Sequence, residues 1–339
     1  MLKTILWTLA VGAVGGVVAS MIGLPSPWLL GAMLSVLATH GLRLPVHMPG
    51  KTTSLIALFM GISIASSIEP DFFDHLVEWR PAVLLLCVML ALLLGLLYLF
   101  YHRRCGWSRS DALLCSVPGN LAVVLIFATE AGLDPKRIAL VHSVRLFFLV
   151  SALPLLFPIV DRPETDMTAD VAYLDLLIVF LLAAMAGWGA SRLKVPAGML
   201  VGGMLAALVM KLGFGFKISI PPDWFRVVLV VLGTAIAVRM TKLDLALLKK
   251  TLKGATGGLA LSLLICGAFS ALLHFGFDVP LLQAVLAYMP GGLEVMIAIA
   301  FSTDVDPLFV ATHQLLRVLI MCFALPVLFG LLQRKNVYE

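Results

Sequence analysis

The sequence predicts an all-α integral membrane protein built from two homologous repeats. Each repeat holds about six apolar segments, and the two are set in inverted topology with one broken or re-entrant segment per repeat. Three observations carry this expectation: the length of the apolar runs, a self-similarity at a fixed offset, and the opposite charge of equivalent loops.

Of 339 residues, 61% are hydrophobic and 13% charged, a composition that favours long apolar stretches over a single soluble core. A spanning helix needs about 20 such residues to cross about 30 Å of hydrocarbon. The stretch 81–101, PAVLLLCVMLALLLGLLYLFY, is one that qualifies. The net charge of +5 comes from 24 Lys and Arg scattered over short connections, which is the pattern of cytoplasm-facing loops rather than of a nucleic-acid surface. The lipid bilayer is therefore an expected partner and nucleic acid is not. The five cysteines, Cys87, Cys105, Cys115, Cys266 and Cys322, contain no C-x-x-C pair and lie mostly in apolar segments. Neither a disulfide frame nor a zinc site is expected from them. Lys3 and the apolar run to Ile22 have the outline of a signal peptide, but the run continues into Gly23 and Leu24 and a matching segment recurs later. It reads as a retained first helix.

Shifting the chain by 172 positions aligns 118–157 with 290–329 without a gap and with 14 of 40 residues identical. The pairs include Pro118 and Pro290, Gly119 and Gly291, Asp134 and Asp306, Pro135 and Pro307, Arg145 and Arg317, and Pro154 and Pro326. Generic apolar composition does not place these residue types, so the chain is duplicated. At offset 171, LPSPWLLGAML (24–34) matches VPAGMLVGGML (195–205), and Gly61 pairs with Gly233. Repeat A is 1–160, the linker 161–172 reads DRPETDMTADVA, and repeat B is 173–339. In repeat A the apolar segments are 4–22, 26–40, 52–68, 81–101, 111–131 and 138–160. In repeat B they are 173–191, 196–212, 224–240, 254–275, 282–302 and 308–332. Gly12-x-x-x-Gly16, Gly31 and Gly202 are expected to let helices approach closely.

Loop charge tests the topology. Loop 69–80 carries Glu69, Asp71, Asp74 and Glu78 against Arg80, net −3, while its counterpart 239–253 carries Arg239, Lys242, Lys249, Lys250 and Lys253 against Asp244, net +4. Residues 102–111 are basic through Arg103, Arg104 and Arg109 against Asp111, whereas the matching 274–281 has Asp278 and no Lys or Arg. Opposite signs imply opposite sides of the membrane, which requires an odd number of crossings per repeat. Both termini then face the cytoplasm. Loop 211–223 dissents, because it should lie outside yet carries Lys211 and Lys217 against Asp223. The competing arrangement is twelve full crossings.

The segments chosen to re-enter are those interrupted by Pro118-Gly119-Asn120 and Pro290-Gly291-Gly292. Pro lacks an N–H and Gly favours non-helical backbone, so each interruption frees backbone polar groups. At membrane depth such groups are tolerated where they line a cavity, and paired interruptions in two halves point to a transporter's substrate site. Half-helices starting after the breaks would favour an anion at their N-termini. The alternative is a packed kink. Arg145 and Arg317 lie inside apolar segments at equivalent positions, facing protein or water unless they snorkel to the surface. His142 and Gln314 precede them by three residues, on the same helical face. They either contact solute, orient the Arg, or make an interhelical hydrogen bond. Glu294, where repeat A has Ala122, either carries a proton or pairs with Arg317. Asp134-Pro135 and Asp306-Pro307 read as a cap followed by a helix start. No Walker loop, dinucleotide fingerprint or H-E-x-x-H occurs, and no Cys or His cluster suits a metal. Neither an enzyme nor a bound cofactor is expected.

At MPGGLEVMIAIAFSTDVDP followed by HQLLR, the sequence resembles the AbrB family of bacterial inner-membrane proteins, whose members carry two copies of one membrane domain. The resemblance extends to VPAGMLVGGML and LPSPWLLGAML, and so to nearly the whole chain. It implies a multi-pass protein of the bacterial inner membrane. Family labels range from regulators of gene expression to ammonia monooxygenase, and the second has no metal cluster here to support it. The family's Pro-Gly-Gly and Gln-x-x-Arg elements fall on Pro290, Gly291, Gly292, Gln314 and Arg317, while repeat A departs with Asn120 and His142. The residues point to a secondary transporter or exporter of a small anionic solute, or else to a membrane-embedded regulator acting through a partner protein. Self-association into a homo-oligomer is compatible with either.

Overall fold

The computed structural model describes residues 2–24, 26–68, 78–118, 121–130, 133–156, 173–241, 245–303 and 305–337. Every regular element among them is a helix. Repeat A contributes α1 (Leu2–Met21), α2 (Pro27–Gly41), α3 (Thr52–Ser67), α4 (Arg80–Leu99), α5 (Arg109–Ser116), α6 (Leu121–Glu130) and α7 (Pro135–Leu156), with a π-helical turn, Phe100–Arg104, closing α4. Repeat B contributes α8 (Tyr173–Arg192), α9 (Gly198–Phe214), α10 (Pro222–Thr241), α11 (Leu245–Phe277), α12 (Leu281–Tyr288), α13 (Leu293–Phe301) and α14 (Pro307–Val337). Among the described residues seven helices are long and apolar enough to cross a membrane: α1, α4 with its π turn, α7, α8, α10, α11 and α14.

Two boundaries differ from the sequence expectation. The runs 111–131 and 282–302, each expected as one apolar segment, each hold two helices among the described residues. The supposed loop 239–253 is mostly helix, because α10 continues through Thr241 and α11 begins at Leu245. Lys249, Lys250 and Lys253 therefore sit on α11. Lysine is a good helix former, so these charges do not end the helix. The linker 161–172, and residues 69–77 of the acidic loop, lie outside the described residues.

The chain forms two compact units. The first comprises 1–70, 150–242 and 297–308. Its helices meet where side chains are absent. A Cβ at Gly31 would strike the Gly15 carbonyl, and one at Gly202 would stand 2.7 Å from the Ala186 carbonyl. These contacts join α1 to α2 and α8 to α9. Gly12 and Gly16 likewise face Thr234 and Trp28, as expected of close-packing glycines. A Cβ at Gly61 would collide with the Leu200 carbonyl, and one at Gly233 with the Leu29 carbonyl. Gly61 with Leu200 and Gly233 with Leu29 are the same contact made twice, with the repeats exchanged.

The sense of each helix follows from such contacts. Along α1 and α2, Val11 meets Ser35 and Gly16 meets Trp28, so the two run antiparallel. Gly198 against Ser191 and Gly203 against Ala183 make α8 and α9 antiparallel as well. Leu58 meets Gly203, and Lys211 Nζ donates to the carbonyls of Ser66 and Ile68, each at 2.7 Å, so α3 and α9 run parallel. The backbone N–H of His47, between α2 and α3, donates to Thr8 Oγ1 at 3.1 Å, tying that connection to the start of α1. At the other end of α3, Thr53 Oγ1 accepts from Arg239 Nη2 at 2.5 Å.

The second unit comprises 71–149, 243–296 and 309–339 and holds the broken segments. Helices α7 and α14 start at Pro135 and Pro307, positions where a missing N–H costs nothing. Asp134 Oδ1 accepts from Lys136 N at 3.0 Å and Asp306 Oδ1 from Leu308 N at 2.8 Å, so both acids cap the following helix as expected.

Candidate functional site

Each break begins as a short helix that proline stops. Helix α5 starts with Ser108, whose side chain accepts from Asp111 N at 3.1 Å, and ends at Ser116. Val117 is then extended, at φ −62° and ψ 119°, because the residue before a proline is driven out of helical conformation. Helix α12 ends in the same way, with Met289 at φ −63° and ψ 135° before Pro290. Pro118 and Pro290 are both buried. Gly119 and Asn120 lie outside the described residues. In repeat B the chain turns through Gly291, whose N–H reaches back to the Met289 carbonyl at 2.8 Å, and Gly292 before α13 begins.

A helix end leaves about four carbonyls without intrahelical partners, and in hydrocarbon each carries a penalty of several kcal/mol. The structure supplies partners from α7 and α14. His142 Nε2 lies 3.1 Å from the Leu114 carbonyl, and Arg145 Nη2 donates to the Val117 carbonyl at 3.3 Å and to His142 Nδ1 at 2.9 Å. In repeat B, Gln314 Nε2 donates to the carbonyls of Leu286, Ala287 and Met289. Arg317 Nη1 donates to the Met289 carbonyl at 2.7 Å, while Nη2 donates to Gly291 at 3.3 Å and to Gln314 Oε1. Leu114 and Leu286, Val117 and Met289, His142 and Gln314, and Arg145 and Arg317 are all 172 apart. The same latch is built twice.

The latch settles where the two arginines point. Arg145 is 6% exposed and Arg317 1%, and both guanidinia turn into the protein rather than snorkel. They meet the negative end of a helix dipole, which favours a cation there. Hydrogen bonds with a charged donor contribute about 1.5–3 kcal/mol, comparable to the roughly 3 kcal/mol that a mid-membrane Arg costs on insertion scales. Chemistry also fixes the imidazole. Arg145 can only donate and a carbonyl can only accept, so His142 carries its hydrogen on Nε2 and its lone pair on Nδ1. The Gln314 amide presents the same donor and acceptor in the same places.

The two breaks share one neighbourhood within this unit. A Cβ at Gly292 would lie 3.0 Å from Leu146 Cδ1, directly after Arg145 on α7. Arg145 and Arg317 are within electrostatic reach of each other, and the buried Cys266 on α11 is close to both. Arg317 Nε is buried and makes no hydrogen bond. Gly291, Gly292 and Glu294 are half-buried, with Glu294 in the first turn of α13 where the helix dipole favours its charge. His313, which the sequence reading passed over, is fully buried beside Gln314; its Nδ1 donates to the Phe309 carbonyl at 2.8 Å and its Nε2 has no partner. Among the described residues no three His, Cys, Asp or Glu side chains gather to hold a metal.

Among the described residues the regular elements are all helices, seven of them fit to span, and this places the chain among polytopic membrane proteins. Residues 28–333 match the family described as Transition state regulatory protein AbrB, and the chain belongs to that family. It is 25% identical, over 374 aligned positions, to the protein named Uncharacterized protein YhjN of Bacillus subtilis (strain 168), with 98% of this chain and 94% of that protein covered. It is also similar to the protein named Putative regulator AbrB of Escherichia coli (strain K12), at 24% identity over 307 positions covering 87% of this chain and 86% of that protein.

Proposed function

We propose that this chain is a secondary transporter or exporter of a small anionic solute in the bacterial inner membrane. In this reading two inverted repeats alternate access around the paired breaks, with both termini cytoplasmic. The observation that carries it is the doubled latch: the ends of α5 and α12 are met by buried cations at equivalent positions. Broken helices are retained at membrane depth where they line a site. Pro118 and residues 290–292 border the site, and Arg145, Arg317, His142 and Gln314 hold the adjoining helix ends and bias the site positive. Half-helices α6 and α13 turn their N-termini toward the solute, and Glu294 sits at one of them.

The inverted arrangement draws support from the first unit. Helix α9 is the counterpart of α2 yet runs parallel to α3. Helix α3 starts at the end where α1 starts and α2 finishes. The second reading, a regulator working through a partner protein, is favoured by the name of the Escherichia coli relative.

One experiment separates the two. The purified protein is screened against small carboxylates and inorganic anions for a concentration-dependent rise in unfolding temperature, and the hits are tested for counterflow in proteoliposomes. Saturable stabilisation with uptake supports transport. Absence of both, together with a soluble protein that co-purifies at fixed stoichiometry, sinks it.

A further inference from the structure

At one end of the second unit five cations stand exposed. The π-helical turn that closes α4 turns Tyr101 inward, at 2% exposure, and leaves Arg103 and Arg104 facing out. The connection that follows is clamped onto α11. Phe100, Tyr101 and Trp107 lie over Gly257, Gly258 and Gly254, where any Cβ would meet a ring. Tyr101 stacks on Trp107 at 4.7 Å and 4°, and His102 Nδ1 donates to the Trp107 carbonyl at 2.9 Å. The clamp fixes residues 103–107 beside Gly254, one residue beyond Lys253 and one turn beyond Lys250.

Helix α11 explains the depth of this cluster. Its 33 residues reach about 50 Å at 1.5 Å per residue, well beyond the roughly 30 Å of hydrocarbon. Its first turns, with exposed Lys249, Lys250 and Lys253, therefore project past the apolar layer. None of the five side chains meets a carboxylate among the described residues. Asp111, the acid of the same connection, is held by Arg137 at 2.9 Å. The far end of α11, 274–281, has Asp278 and no Lys or Arg.

We propose that Arg103, Arg104, Lys249, Lys250 and Lys253 form a platform for the phosphate headgroups of anionic phospholipid. Unpaired cations at the end of membrane helices, next to interfacial aromatics such as Trp107, lie at headgroup depth. A rigid platform loses little freedom on binding, and each cation near an anionic surface strengthens attraction about fivefold. This inference stands whether or not the protein transports a solute.

The test uses the full chain in neutral detergent, titrated with phosphatidylglycerol or phosphatidylcholine in mixed micelles, with the unfolding midpoint as readout. Phosphatidylglycerol should raise the midpoint saturably and phosphatidylcholine should not. The variant Arg103→Gln/Arg104→Gln should weaken the apparent affinity roughly 25-fold, and Lys249→Gln/Lys250→Gln/Lys253→Gln further still. The control Lys51→Gln/Lys194→Gln removes two exposed cations from the other unit and should change little. Equal weakening by the control, unchanged affinity in the platform variants, or the same shift from inorganic phosphate alone would each overturn the proposal. Should the triple lysine variant not fold, the Arg103/Arg104 pair decides alone.

Discussion

Exchange of His142 for Gln or for Leu probes the latch directly. In the wild type, His142 gives its Nε2 hydrogen to the Leu114 carbonyl and its Nδ1 lone pair to Arg145. Gln314 performs both tasks in repeat B with an amide. His142→Gln thus keeps both hydrogen bonds, and the expected cost is below about 1.5 kcal/mol, the range of a volume-conserving exchange. His142→Leu leaves a buried carbonyl and a buried guanidinium N–H unpaired. At about 1–3 kcal/mol for each, and more for the charged one, the loss is about 3–5 kcal/mol. For a chain of this size about 2 °C of midpoint accompanies each kcal/mol, so His142→Leu should unfold about 6–10 °C earlier. Thermal unfolding in one detergent, read by intrinsic fluorescence, compares the three proteins, and Gln314→His should mirror His142→Gln. If His142→Gln falls as far as His142→Leu, the equivalence of imidazole and amide is wrong. If His142→Leu unfolds like the wild type, the latch contributes nothing.

Further outcomes follow from single contacts. Gly61→Ala and Gly233→Ala each drive a Cβ into a backbone carbonyl and should cost about 1–3 kcal/mol, whereas Gly95→Ala, with open space around it, should not destabilise; equal effects at all three would refute the close-approach reading. Asp134→Ala and Asp306→Ala each remove a cap and should lower stability by about 1 kcal/mol, a loss that Asn at the same position largely restores. Burial pushes the Cys105 thiol up from its ordinary range, and the thiolate is the reactive form. With the other cysteines replaced by Ala, Cys105 should alkylate more slowly than a free thiol near pH 8 and catch up as pH rises; a profile like that of free cysteine would contradict this.

The sequence carries the features that depend on residue type alone. Long apolar runs announce the spanning helices. Pro118 and Pro290 announce the breaks, and Asp134-Pro135 announces a capped start. What arginine touches is another matter. The partners of Arg145 and Arg317 are mostly main-chain carbonyls, and a carbonyl has the same chemistry whatever its side chain. From residue types, snorkelling, solute contact and an interhelical bond all remained open. Only the fold brings Leu114 beside His142 across 28 residues. The division of the runs 111–131 and 282–302 into two helices each stayed hidden because apolar residues flank both sides of the break, so each run reads as continuous.

Lys211 shows how a local contact alters a global inference. Counted as a loop charge, it opposed the inverted topology. It belongs to the last turn of α9, and its ammonium is engaged by the Ser66 and Ile68 carbonyls at the end of α3. A cation satisfying helix carbonyls says little about sidedness, and without it the connection holds Lys217 against Asp223, net zero. The contact adds a constraint of its own, because bonds of 2.7 Å require the end of α3 and the end of α9 to lie on one side of the membrane. With inverted repeats both ends face outward. With twelve full crossings they fall on opposite sides. Single cysteines at Ser67 and Lys217, in an otherwise cysteine-free chain, should therefore label together with an impermeant maleimide applied to intact cells. If one labels from outside and the other only after lysis, the repeats are not inverted, and the breaks would have to be full crossings.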